Sequence, residues 1–168
     1  MNKFLASLLI ISALCLTSNL AQAEEYTLNA GVTVNDIPKA FFGSWRVSAK
    51  LESSDSPRTF KPTGVDLWNL SRSGDIITLS NPFSGASAEI SIRTAESNLI
   101  VFSKKAPYDN KILTDTVAIR LGNNSFTGIN DLVLESYSNI DNRLIKTEHA
   151  KYVISGEKIS GESVLRRE

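Results

Sequence analysis

Phe41-Phe42-Gly43-Ser44-Trp45 is the stretch whose reading decides the fold of this chain. Just ahead of it, Asp36 is a suitable helix N-cap. Pro38 is tolerated in a first helical turn, where its missing N–H would be unpaired anyway. Lys39 to Phe42 completes about one turn, α or 3₁₀, and Gly43 stops it by permitting positive φ. From Trp45 the chain alternates. Trp45, Val47, Ala49 and Leu51 fall on one face, and Arg46, Ser48 and Lys50 on the other. That is the period of a strand half-buried against a core. The stretch is therefore read as a helix stop and the start of the first long strand.

The same period recurs downstream. Ser53 to Gly64 is the longest irregular stretch, rich in Ser, Asp and Pro, and reads as a loop. Val65 to Ser71 follows, with Trp68 and Leu70 on one face and Val65 and Leu67 on the other. Apolar residues on both faces predict a strand covered on both sides, with the long loop as the outer cover. Ser73-Gly74-Asp75, Glu96-Ser97-Asn98 and Gly122-Asn123-Asn124 are turn signals between further strands. Ala106 to Asn110 reads as a loop. The last long strand is predicted over Leu144 to Ile154, with Ser155-Gly156-Glu157 as a turn after it. No stretch has the spacing of a long amphipathic helix. About eight to ten strands joined mostly by short turns predict an all-β fold. Consecutive hairpins favour an antiparallel up-and-down barrel over an open sandwich, and closure removes exposed edges.

The ends bound the compartment. Lys3, the apolar run Phe4 to Leu16 and the small-x-small Ala21-Gln22-Ala23 form the pattern of a secretory signal peptide cleaved after Ala23. Residues 1–23 are expected to be signal and 24–168 a single barrel domain, periplasmic or extracellular. Cys15 lacks the small preceding residue of a lipoprotein signal, since Leu14 stands there, and is expected to leave with the signal. The 168 residues then lose 23 and keep 145, enough for one domain with its own core. Lys3 leaves as well, so 17 basic residues face 18 acidic ones. That balance gives no reason to expect nucleic acid as a partner. With no Cys after residue 15, the exported fold rests on apolar packing rather than disulfides. No segment reaches the length of a membrane-spanning helix.

A short N-terminal turn, Gly43-Ser44-Trp45 leading into the first strand, and a meander of antiparallel strands resemble the lipocalins and lipocalin-like bacterial domains. The resemblance implies that Gly43 and Trp45 close one end of the barrel, with a basic side chain from near the last strand over the Trp ring. Arg143, Lys146 and Lys151 are available for this, and no motif selects among them. It also implies a small apolar ligand held in the barrel. The chain departs from the family in two places. Thr114-Asp115-Thr116 only partly echoes the second signature, and no helix pattern follows the last strand.

Catalytic and metal-binding groups are sparse. His149 is the only histidine, too few for a His/Cys metal site. No Ser sits in a Gly-x-Ser-x-Gly elbow. The Asp residues near turns lack calcium-loop spacing, and no glycine-rich phosphate loop precedes a helix. No cofactor is expected, and the chain reads as a non-enzymatic binder of a small apolar or amphipathic ligand. Phe60, Trp68 and Phe83 are the candidate ligand-lining residues, placed with the long loop at the barrel mouth opposite Trp45. The alternative is a protein-binding module, such as an inhibitor of an exported enzyme or an envelope component. An apolar patch outside the barrel would favour that reading.

Overall fold

A computed structural model describes residues 34–161 and 163–165. The expected signal peptide, its cleavage site and Cys15 lie outside the described residues. Two 3₁₀ turns, Val34–Asp36 and Lys39–Phe41, precede the strands. Asp36 belongs to the first turn, so it does not cap the second. Pro38 occupies that cap position, without a side-chain bond.

The strands are β1 (Gly43–Ser54), β2 (Thr63–Ser73), β3 (Ile76–Ser80), β4 (Ser87–Glu89), β5 (Ser91–Glu96), β6 (Leu99–Tyr108), β7 (Lys111–Leu121), β8 (Ser125–Tyr137), β9 (Leu144–Ser160) and β10 (Ser163–Leu165). Nine of them form an antiparallel, up-and-down, nearly closed barrel in the order β4-β3-β2-β1-β9-β8-β7-β6-β5. The first and last long strands pair along most of their length, Ser44 opposite Ser160 and Ser54 opposite Ala150. β4 and β5 are one run of chain bent at Ile90. Its first half pairs with β3 and its second half with β6. Beyond Ser103, β6 pairs only with β7, which leaves a seam between β4 and the end of β6.

Alternation sets what the barrel encloses. Trp45 and Val47 of β1, Trp68 and Leu70 of β2, Ile77 and Leu79 of β3, Ile100 and Phe102 of β6, Val117 and Ile119 of β7, and Tyr152 and Ile154 of β9 all point inward and are buried. Aromatic rings bridge the middle. Phe126 lies 5.1 Å from Trp45 and stacks on Trp68 at 5.8 Å, while Phe102 meets Trp68 edge-on at 6.1 Å. Phe41 from the second turn joins them through Phe102 at 5.8 Å.

Trp45 is fully buried and donates its indole N–H to Phe41 O at 3.0 Å. The cation over its ring is Lys158, 4.6 Å from the centroid, and none of Arg143, Lys146 or Lys151. Register explains the choice, because Lys158 stands opposite Trp45 in the β1–β9 pair. Its ammonium also donates to Ala40 O at 2.6 Å and Phe42 O at 2.5 Å, so one side chain holds both the plug and the turn.

Three sequence expectations are corrected. Ser155-Gly156-Glu157 is not a turn: β9 runs through it. Gly156 is glycine because a Cβ there would sit 2.6 Å from Phe126 Cδ1 and nearer still to two other ring atoms. Ala106 and Pro107 are strand rather than loop. Proline is accommodated because this part of β6 lies on the seam, where a ladder donor is dispensable. The loop after β1 does not cover the outside of β2, and Val65 is 74% exposed. It folds instead across the barrel end opposite Trp45. There Thr59 Oγ1 donates to Glu148 Oε1 at 2.7 Å, and Tyr152 OH donates to Lys61 O at 2.9 Å.

Candidate functional site

The seam opens into a recess of about 400 Å³, lined by Asp66, Trp68, Leu79, Asn81, Lys104 and Ala106 among others. Strand pairing assembles it. Trp68 and Asp66 share the inward parity of β2, and Asn81 follows Leu79 at the same parity beyond β3. Ala88 of β4 and Ala106 of β6 form its two rims. Small side chains on facing edges leave the opening.

The recess has an apolar inner side and a polar margin. Asp66 accepts from the Trp68 indole N–H at 3.2 Å and also from the Asn81 side-chain amide. This ties the indole to one carboxylate and fixes its orientation. On the opposite rim Lys104 pairs with Asp115 at 3.3 Å. The two stand directly opposite in the β6–β7 register, so Asp115 is the next inward residue behind Lys104. Asp115 is only 6% exposed, and burial pushes its carboxyl above the ordinary value against the opposing pull of Lys104. Its Oδ1 has no hydrogen-bond partner. Neither does Oδ1 of Asn130, an inward residue of β8 at the next step of the β7–β8 ladder.

A second buried acid lies under the long loop. Glu148 bonds Lys146 Nζ at 2.7 Å and Thr59 Oγ1 at 2.7 Å. The Lys146 bond first, then Thr59 and Ser56, pull its carboxyl down to about 2. It anchors the loop across the barrel end.

The three candidate ligand residues do not converge. Trp68 lies at the recess and is 6% exposed, with its ring packed into the aromatic cluster. Phe60 is buried under its own loop, 7% exposed. Phe83 is 87% exposed on the loop between β3 and β4, outside the barrel. There it borders a groove of about 540 Å³ with Val65, Leu67 and Ile159. Sequence reading missed Asp66, Asn81, Lys104 and Asp115. The available signal was charge at inward parity: Lys104 is in step with Phe102, and Asp115 with Val117. A charged residue on the apolar face of a strand is seldom placed there by packing alone.

Among the described residues, no group of three or more His, Cys, Asp or Glu is arranged to hold a metal, and no helix is long and apolar enough to cross a membrane. Compared with known proteins, the chain matches no family model, no curated protein and no solved structure.

Proposed function

We propose that this protein is an exported, periplasmic or extracellular, lipocalin-like binder that is not an enzyme and that takes a small apolar or amphipathic ligand in the seam recess. The observation carrying this reading is the recess itself. It has the volume of a small-molecule site, an apolar wall of Trp68, Leu79 and Ala106, and a few polar groups at the margin. The Gly43-Ser44-Trp45 junction and the Lys158 ammonium over the Trp45 ring support the lipocalin-like part. The signal pattern before Ala23 supports export.

The test is titration with the neutral fluorophore N-phenyl-1-naphthylamine. Wild type is expected to bind it saturably. Ala88→Phe, which fills the recess from its rim, is expected to abolish binding while leaving the thermal melt nearly unchanged. Equal binding by both proteins would defeat the assignment.

A second reading rests on another surface. Val65, Leu67, Phe83 and Ile159 bring apolar side chains together around one outer groove, flanked by Arg46. Contiguous apolar surface of this kind suits a protein partner. Site-specific cross-linking from position 83 in the native compartment tests it. Identical adduct patterns for wild type and Val65→Asp would count against it.

A further inference from the structure

We infer that the polar end of the ligand is a hydrogen-bond donor, an amine or an alcohol, and that carboxylates are selected against. This deepens the proposed function and rests on the ligand occupying the seam recess.

Three observations carry it. First, the charge-bearing side chains at and just behind the recess are Asp66, Asp115 and Lys104, two acids against one base. Second, the single ammonium is already engaged, since Lys104 Nζ lies 3.3 Å from Asp115 Oδ2. An incoming carboxylate would have to compete with a buried acid for it and would bring a third acid into the cluster. Third, acceptors are in surplus. Asp66 stands at the open margin, where its carboxylate accepts from Leu67 N, the Trp68 indole and the Asn81 amide and keeps room for one further donor. A ligand that brings an N–H or O–H to that carboxylate gains a bond that one bringing another acceptor does not. Lys104 lies on the rim across from Asp66. The apolar body of the same ligand then lies along Trp68 and Leu79.

The experiment compares octylamine, octanol and octanoate, matched in chain length, by isothermal titration calorimetry on the purified protein at neutral pH. Octylamine and octanol are expected to bind at least about tenfold more tightly than octanoate, with the amine first. Asp66→Asn, at an exposed position, is expected to narrow the amine-to-acid ratio several-fold. Ala88→Phe is expected to weaken all three. Octanoate binding as tightly as octylamine, with both lost in Ala88→Phe, overturns the donor preference and leaves the recess standing. An amine preference that survives Ala88→Phe places it elsewhere and overturns the inference. No binding of any of the three overturns both readings.

Discussion

Gly156→Ala adds one methyl group in the middle of the longest strand, and its effect can be worked from the packing. In a strand interior, replacing Gly by Ala ordinarily stabilises by about 0.5–1 kcal/mol through the unfolded chain. Here the new Cβ would fall 2.6 Å from Phe126 Cδ1 and closer to Cε1 and Cζ. The ring cannot swing aside freely, because Trp45 lies 5.1 Å away and Trp68 stacks on it at 5.8 Å. Overpacking of a filled core costs about 1–3 kcal/mol. The steric term exceeds the entropic gain, and the net expectation is a loss of about 1–2 kcal/mol. Urea unfolding followed by tryptophan fluorescence measures it, with an unchanged m-value expected. Phe126→Leu in the same background shrinks the ring and should relieve the clash, giving a coupling of about 1 kcal/mol or more in a double-mutant cycle. A Gly156→Ala protein as stable as wild type, or a coupling near zero, would refute the packing account of this glycine.

Other outcomes follow from the same core. Trp45→Ala is expected to cost about 3–5 kcal/mol, as for a large buried aromatic; a loss under about 1 kcal/mol in the same urea assay would mean Trp45 does not plug the barrel. Lys158→Met keeps the side-chain length but removes the charge over the indole and both carbonyl bonds. About 1–3 kcal/mol should be lost, and a neutral result would separate the 3₁₀ turn from this side chain. Glu148 has its carboxyl depressed from 4.5 to about 2 in the folded protein. Its contribution is therefore full above about pH 4.5 and is lost as pH falls towards 2. Stability measured across that window should fall less steeply in Glu148→Gln, and an unchanged acid limb would show that the Thr59 and Lys146 bonds do not anchor the loop.

The barrel was legible because its strands obey one rule, apolar residues at every second position. Trp45 through Leu51 states that rule in seven residues, and Val117, Ile119 and Leu121 of β7 repeat it. Legibility failed where a residue answers to a neighbour far away in sequence. Gly156 looks like a turn residue until Phe126 is placed against it. Pro107 looks like a strand breaker until the seam leaves that edge of β6 unpaired. Lys158 was passed over as the partner of Trp45 because only the β1–β9 register sets them opposite each other. The site was less legible for the same reason. Trp68 stood out as an aromatic on an alternating strand, but Asp66, Lys104 and Asp115 acquire meaning only once β2, β6 and β7 face one interior. Phe60 and Phe83 were grouped with Trp68 by kind, and the loops carry them to other surfaces.

The pairing of β1 with β9 also governs how the chain must fold. Neighbouring hairpins such as β6–β7 can form soon after both arms exist, whereas β1 waits for a strand more than ninety residues away, Ser54 for Ala150. Closing so large a loop is entropically late and slows folding relative to local contacts. Until then β1 presents a bare edge, and Trp45 lacks both its ring partner on β8 and the ammonium on β9. A chain halted before β9 would hold hairpins without a sealed interior. The last long strand thus acts as the fastener of the barrel, the element that gives β1 its second neighbour.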